Sequence, residues 1–188
     1  MALLLTIAMA LPAGAGDRQH YRPQAGLMWN RSGLPATLPL VVRTAAGRDH
    51  VVFLGDARGR DIMAGYIRGG DVFRLLVPPG TWRVRFAHGS RWQDEETLFG
   101  PATEWTRIDR PLAFGAGIAR RHGHVIRLIE SDGRMRAASI GPLDQCQALI
   151  VTTEVIELDD ERDDPNRLPA PALRRLDITL DTRSRVCG

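Results

Sequence analysis

The fold of this chain is decided by residues 68–86, RGGDVFRLLVPPGTWRVRF. Apolar residues occupy every second position in each half of this stretch: Phe73, Leu75 and Val77, then Trp82, Val84 and Phe86. A period of two places such residues on one face of a β-strand. Between the halves, Pro78-Pro79 has no N–H to continue a ladder, and Gly80 suits a turn. The stretch therefore predicts a β-hairpin with Trp82 on its buried face.

Other short apolar runs follow at intervals of about ten residues. Glycine, proline and aspartate separate them, and Asp132-Gly133 is a dipeptide typical of hairpin turns. This spacing is typical of a sandwich or barrel, and we expect an all-β chain with a single β-sandwich. The predicted strands are 40–44, 51–54, 62–67, 125–129, 135–140 and 149–156, with 176–182 as a last short strand or a loose arm.

The first fifteen residues predict a signal peptide. Met1–Leu11 is an apolar run too short to span a bilayer, and Ala13-Gly14-Ala15 is a small-residue cleavage signature. The run lacks the usual basic residue before it, and no later segment has transmembrane length. We expect a periplasmic or secreted domain over 16–188, with a core at about 38–145 and a C-terminal extension over 146–188.

The two cysteines, Cys146 and Cys187, suit an oxidising compartment. Because no Cys-x-x-Cys or Cys/His spacing accompanies them, a disulfide is favoured over a metal site. The chain-entropy model gives such a bridge about 4 kcal/mol of stability. We therefore expect an irregular C-terminal segment fastened by a Cys146–Cys187 disulfide.

Basic residues do not indicate nucleic-acid binding. All 25 are arginine, the net charge is +3, and they are spread over many segments. A nucleic-acid footprint would cluster them on one face with interleaved aromatic residues. We expect no nucleic-acid partner.

The segment 51–101 resembles the carboxypeptidase regulatory-like, or prealbumin-like, β-sandwich domains. The likeness lies in Pro78-Pro79-Gly80 leading into the alternating strand Thr81–Val84. A longer pattern is similar to a family of exported bacterial proteins of unassigned function; it comprises Gly69-Gly70, Val77–Gly80, Phe86-Ala87 with Gly89, Trp92 and Leu98–Pro101. The resemblance implies a fold and no chemistry.

Histidines offer a weak metal hypothesis. His122 and His124 would share one face of a strand, but Arg120-Arg121 lies beside them and no third ligand is at usable spacing. Prealbumin-like hydrolases of purine breakdown end in Tyr-Arg-Gly-Ser, whereas this chain ends in Arg-Val-Cys-Gly. We therefore expect no metal and no cofactor, and exclude that hydrolase activity.

Acidic clusters are the remaining catalytic candidates. Residues 94–96, Asp-Glu-Glu, could supply paired carboxylates, and with His88 they define a hydrolase hypothesis located in the 88–105 loop. The run Asp159–Pro165 lacks the glycine and closing glutamate of an EF-hand. Both runs are typical of solvated loops, so no catalytic residue is predicted.

Aromatic side chains outside the core suggest contacts with a sugar or a protein. Trp29 and Trp105 are the rings expected to be exposed, whereas Trp92 and Phe99 are expected to pack near a turn. The favoured hypothesis is a non-catalytic interaction or structural module of the bacterial envelope. Its partner is an envelope protein or a polysaccharide, and Trp29, Trp92 and Trp105 are the candidate contacts. A carbohydrate-binding accessory domain and the hydrolase are the alternatives.

Overall fold

Strands make up nearly all the regular structure of this protein. The computed structural model describes residues 22–158 and 173–187. The one helical element within these residues is a 3-10 turn, Gly100–Ala102. The strands are β1 (Gly26–Asn30), β2 (Leu38–Arg43), β3 (Asp49–Gly55), β4 (Asp61–Ile67), β5 (Val72–Val77), β6 (Gly80–Gly89), β7 (Glu104–Arg107), β8 (Leu112–Gly117), β9 (Arg120–Ser131), β10 (Arg134–Leu158) and β11 (Leu173–Val186).

Several predicted features lie outside the described residues. They are the signal peptide over 1–15 with its cleavage site, the acidic run Asp159–Pro165 and the extended segment Pro169–Pro171. The described residues include no helix with the length and apolar character to cross a bilayer.

The strands form one nearly closed, barrel-like sheet. Hydrogen-bonded neighbours follow the order β1-β4-β3-β6-β8-β9-β2-β5, and the two ends, β1 and β5, lie in contact without pairing. β7 lies beside β6, and β10 and β11 continue outward from β9. The all-β prediction is confirmed. The finer expectation of a two-layer, prealbumin-like sandwich is not shown, because this path connects eight strands in one continuous sheet.

The predicted alternation is confirmed in β5 and β6. Phe73, Leu75 and Val77 point into the barrel, and so do Val84 and Phe86. Trp82 belongs to the same face of β6 but lies at the rim of the core, where it is only partly buried. Its Nε1–H donates to the Pro78 carbonyl oxygen at 3.0 Å, which satisfies the one polar group of the ring.

The predicted hairpin of β5 with β6 is wrong. Among the described strands β5 pairs only with β2, and β6 pairs with β3, β7 and β8. Pro78-Pro79 removes two consecutive donors, and Gly80 adopts a φ of 140°, which favours glycine. The segment is therefore a corner that takes the chain from one part of the barrel wall to another. The two strands are consecutive in sequence and bury their apolar faces in the same core, although they do not pair with each other.

The hairpin predicted at Asp132-Gly133 is confirmed, and it joins β9 to β10. Both residues have positive φ, 54° and 72°, as a two-residue type I′ turn requires. On its other edge β9 runs parallel to β2. A Cβ at Gly123 would lie 1.9 Å from the Pro39 carbonyl oxygen, so only glycine allows these two strands to approach so closely.

The protein has two apolar clusters. The larger fills the barrel and includes Leu40, Leu54, Phe86 and Ile126, all fully buried. The smaller lies on the outer face of β3, β4 and β6, where the loop after β6 covers it. Its members are Val51, Phe53, Ala64, Tyr66, Ala87, Leu98 and Phe99.

The disulfide between Cys146 and Cys187 is confirmed, with a Cα–Cα distance of 5.7 Å and a separation of 41 residues. The described parts of the segment that it fastens are not irregular, because residues 146–158 and 173–186 pair as β10 and β11, and both cysteines lie at the base of this ladder. The bridge therefore closes the base of a long two-stranded ribbon.

Candidate interaction surface

We call the paired part of β10 and β11 the ribbon. Its antiparallel ladder runs from Gln145 opposite Val186 to Leu158 opposite Leu173, without a register shift. β10 reaches the ribbon directly from the barrel, where it pairs with β9 up to Cys146. Beyond that point, no third strand among the described residues pairs with the ribbon.

One side of the ribbon carries aliphatic side chains and threonine along its central part, which we call the apolar face; Gln145, Gln147 and Ser184 follow on the same side towards the base. Directly opposed residues share a face, so the register sets its composition. Every aliphatic member exposes more than half of its surface, and none belongs to either apolar cluster. The apolar face consists of Leu149, Val151, Thr153 and Val155 on β10 with Leu176, Ile178, Leu180 and Thr182 on β11.

The other side of the ribbon, the charged face, differs sharply. Along β11 it presents Arg175, Asp177, Thr179, Asp181 and Arg183 in sequence. The opposing positions on β10 are Ile156, Glu154, Thr152, Ile150 and Ala148. Water can solvate the charged groups of this face. Because Ile156 is its one aliphatic residue with a large exposed fraction, 41%, most of the exposed apolar surface lies on the other side.

A groove on the body of the protein lies beyond the apolar face. A cavity of about 350 Å³ lies where the base of the ribbon meets β2 and β5. Leu143 and Val186, which lie on the same side of the ribbon as the apolar face, line this cavity together with Val41, Leu76 and Val125. The apolar surface therefore resumes on the barrel beyond the polar residues Gln145, Gln147 and Ser184, and exposed apolar surfaces of this kind mark contact sites.

The three candidate tryptophans lie elsewhere, around the smaller cluster. Trp92 packs edge-on against Tyr66 and Phe99, with ring centroids 5.0 and 5.6 Å away. Trp29 lies over Phe53 at 6.3 Å, and Arg31 stacks 4.2 Å from its ring centre. Trp92 and Trp29 are therefore partly covered by their neighbours.

Trp105 is the most open of the candidate rings and is 45% exposed. The Arg85 guanidinium lies 4.4 Å from its centroid and also pairs with Asp61 at 2.5 Å. One face of the indole is thus occupied by a cation–π contact within the chain.

A buried pair of histidines joins β3 to β6. His50 Nδ1 lies 3.2 Å from His88 Nδ1, and both residues are fully buried. The Thr106 hydroxyl donates to the Met135 carbonyl oxygen, so its oxygen accepts from His88 Nε2–H at 2.9 Å. His88 Nδ1 is then the acceptor, His50 Nδ1–H is the donor, and His50 Nε2 keeps a buried lone pair without a hydrogen bond.

This histidine pair is neutral at physiological pH. Burial lowers the pKa of both rings to about 4, and the proximity of His88 adds to the effect on His50. Neither ring reaches solvent, so the pair is a hydrogen-bonded link between strands rather than a surface acid or base.

Asp49, next to His50, is a buried carboxylate held by three donors. They are the Tyr66 hydroxyl at 2.6 Å, the Gly69 amide at 3.0 Å and the Arg22 guanidinium, whose Nε lies 2.8 Å away. Burial raises the pKa of Asp49, but these hydrogen bonds outweigh burial and keep it below the usual value. The same burial and the bond to Asp49 raise the pKa of Tyr66.

The residues of the hydrolase hypothesis do not converge. His88 is buried with His50, whereas the Asp94 carboxylate accepts the amides of Glu96 and Thr97 and Glu95 is exposed. Cavities of about 420 and 460 Å³ flank Glu104, but neither is lined by both His88 and an acid of the 94–96 cluster. Glu104 itself pairs with Arg48 at 2.8 Å, which lowers the pKa of its carboxyl.

The two strand histidines also have separate partners. His122 Nδ1 lies 2.9 Å from an Asp144 carboxylate oxygen, and His124 Nε2 lies 2.8 Å from the Ala113 carbonyl oxygen. The β9–β10 register places Asp144 directly opposite His122, a partner that the sequence did not indicate. Within residues 22–158 and 173–187 no three potential ligands are grouped for a metal.

Sequence reasoning missed the apolar face, although its signal was present. Leu149, Val151 and Val155 alternate along β10, and Leu176, Ile178 and Leu180 alternate along β11. That period predicted strands but did not reveal that nothing in the barrel covers them. No protein family, characterised protein or solved structure matches this chain.

Proposed function

We propose that this protein is an exported, non-catalytic interaction module that binds its partner through the ribbon. The observation that carries the proposal is the apolar face, on which every aliphatic side chain exposes more than half its surface. A two-stranded ribbon is only marginally stable in water by itself, so an uncovered apolar side is an unfavourable end state. A partner that extends the ribbon into a wider sheet, or that covers this side, would reduce this cost.

Export is the second element of the proposal. A disulfide persists in oxidising compartments, and the sequence begins with a predicted signal peptide. An envelope location would place the ribbon among other envelope components. The prealbumin-like resemblance of residues 51–101 remains an expectation about ancestry and adds no chemistry.

The absence of catalysis is the third element. The titratable groups of the hydrolase hypothesis do not share a site: His88 is buried, Asp94 accepts backbone amides of its own loop, and Glu95 is exposed. The carbohydrate alternative, with contacts at Trp29, Trp92 and Trp105, is less favoured because each ring already packs against neighbours of its own chain.

Site-specific photo-crosslinking in intact cells tests the proposal. A photoreactive residue at Leu180, or at Val151 of the same apolar face, should give discrete adducts on irradiation. The matched control is Arg58, an exposed position in the loop between β3 and β4. Adducts from Arg58 alone, or from none of the three positions, would contradict the proposal.

A further inference from the structure

We infer that the partner of the ribbon is a second copy of this chain, bound by antiparallel pairing of β11 with β11 about a two-fold axis at Ile178. This inference rests on the proposed function and names its partner. Three independent features of β11 support it: an open strand edge, a self-complementary charge sequence and a self-complementary apolar sequence.

The first feature is the open edge. The Cys187 N–H donates to the Asp144 carbonyl oxygen at 2.9 Å, so the main-chain N–H and C=O groups of Cys187 face β10. Because bonding direction alternates along a strand, residues 176, 178 and 180 point their N–H and C=O groups away from β10. Among the described strands β11 pairs only with β10, so these groups have no strand partner there.

Apart from its charged residues, the edge lacks the usual protection against pairing. Natural edge strands are blunted by charged side chains, especially lysine, and by proline, bulges or short length. Residues 173–186 contain no proline and no lysine, and the β10–β11 ladder runs without a register shift. By contrast, β10 has a shift in its ladder with β9, between Ala137 and Ser139. The irregularity therefore lies in the barrel part of β10, and the ribbon contains no bulge that would hinder pairing at the edge of β11.

The second feature is the charge sequence, which together with the length of the overlap favours this register. With Ile178 opposite Ile178 of the second copy, Arg175 lies opposite the second copy's Asp181, and the two-fold axis generates the same pair again. Asp177 then lies opposite the second copy's Thr179. Opposite charges facing each other stabilise a strand pair, so the register is favourable throughout the charged face.

Neighbouring registers place like charges opposite each other. Only shifts that keep outward-pointing groups opposed are allowed, so the axis can move to the residue before or after Ile178. Moving it towards the C-terminus opposes Asp177 to Asp181 and Arg175 to Arg183. Moving it towards the N-terminus opposes Asp177 to Asp177 of the second copy. Moving it by two residues towards the C-terminus opposes Arg175 to Arg185, although it also opposes Asp177 to Arg183. Moving it by two residues towards the N-terminus opposes Arg175 to Asp177, but the overlap among the described residues then shrinks to 173–179 and supplies about six main-chain hydrogen bonds. Like charges directly opposite are destabilising.

The third feature is the apolar face of the same register. Leu176 lies opposite the second copy's Leu180, twice, and Ile178 lies opposite itself. The two ribbons then form a four-stranded sheet with one aliphatic side. The overlap from Leu173 to Arg183 supplies about ten main-chain hydrogen bonds, as many as a typical protein interface contains.

Disulfide trapping of single cysteine variants tests the register. Ile178→Cys places two thiols on directly opposed residues, whose Cα atoms lie about 5.5 Å apart in a hydrogen-bonded pair, within disulfide range. Leu180→Cys is the matched control on the same face, because its two copies would lie about 14 Å apart along the strands. We expect mild oxidation to convert more than half of the first variant to a dimer, and at most a tenth of the second. Peptide mapping must show Cys146–Cys187 intact.

Sedimentation equilibrium tests the pairing without new thiols. The native chain should show a reversible dimer. Ile178→Pro removes an outward-pointing N–H that β10 does not use, so it should weaken dimerisation at least tenfold while the circular dichroism spectrum stays native. Ile178→Val retains the N–H and should dimerise within threefold of the native chain.

The outcomes separate this inference from the proposed function. A monomeric native chain, or trapping through Leu180→Cys instead of Ile178→Cys, overturns the dimer described here. If the Leu180 photo-adduct contains a different protein, or if the monomer binds phosphatidylcholine–phosphatidylglycerol vesicles, the dimer is also overturned. An adduct with a different protein would overturn the dimer but still leave the ribbon as an interaction surface. An absence of any adduct would contradict both proposals.

Discussion

The same alternation of apolar residues has opposite outcomes in the barrel and in the ribbon. In β5, Phe73 and Val77 are buried, because the opposite wall of the barrel faces them. In β11, Leu176 and Leu180 alternate as regularly and stay exposed. The two strands have the same alternation of apolar residues. The apolar side of β5 packs against the opposite side of the barrel, whereas no other described strand packs against the apolar face of the ribbon. Periodicity therefore identifies a face that needs covering, and the tertiary structure decides whether the chain covers it.

The largest effect should come from the barrel core. Phe86→Ala removes a fully buried ring from the main cluster and should lower the free energy of unfolding by roughly 3–5 kcal/mol. Trp82→Ala should cost less, because that ring lies at the rim. Urea unfolding followed by circular dichroism measures both. A loss below 1 kcal/mol for Phe86→Ala would mean that this wall of the barrel is not closely packed.

A comparable effect, confined to the ribbon, should follow loss of the disulfide. Replacing Cys146 and Cys187 by serine frees a loop whose closure contributes about 4 kcal/mol in the chain-entropy model. We expect faster hydrogen exchange at ribbon amides and little change in β3. Equal acceleration in β3 would show that barrel and ribbon unfold as one unit.

A smaller effect should appear on acidification, and in the barrel alone. The folded pKa of about 4 for His50 and His88 lies below the unfolded value of about 6.5, so the unfolded chain binds more protons between these limits. The free energy of unfolding should therefore fall as the pH drops through this window, by on the order of 2 kcal/mol for the two histidines together from pH 7 to about pH 5.5. The lowered pKa of Asp49 means that its contribution is lost only as the pH falls through that lower value.

His50→Asn provides the control for this pH dependence. The asparagine amide can still donate to His88, but one titrating group is gone, so the slope of stability against pH should decrease. The ribbon contains no histidine. An unchanged slope in the variant, or a flat profile in the native chain, would show that the histidine pair does not govern acid sensitivity.

The smallest effect should come from the apolar face. Leu180→Ala removes an exposed side chain and should change the stability of the monomer by less than about 0.5 kcal/mol. The measurement is urea unfolding at a protein concentration below the dimer dissociation constant. A cost near that of Phe86→Ala would mean that the apolar face is covered within the monomer and that the comparison fails.

Local features of the fold could be predicted from the sequence because they depend on neighbouring residues. The strands around Phe73 and Phe86 follow from a period of two, and the turn at Asp132-Gly133 follows from residues that tolerate positive φ. The disulfide followed from the presence of just two cysteines. In each of these cases the residues concerned are compatible with few other local conformations or pairings.

Strand partners could not be predicted in the same way. Pro78-Pro79-Gly80 suits a hairpin turn and a corner between strands equally well, so local chemistry does not choose between them. The link between His50 and His88 joins residues 38 positions apart, and neither has a recognisable motif around it. The uncovered side of the ribbon could not be predicted, because exposure depends on the absence of a second layer.

The continuous course of β10 has a mechanical consequence. One uninterrupted strand runs from the turn at Gly133, along the whole of β9, to the far end of the ribbon. A sideways load on the ribbon must pass into the barrel through this strand, while the covalent bond at Cys146 prevents β11 from peeling away at the base. The ribbon should therefore behave as a cantilever with a clamped root, which bends along its length before its two strands separate.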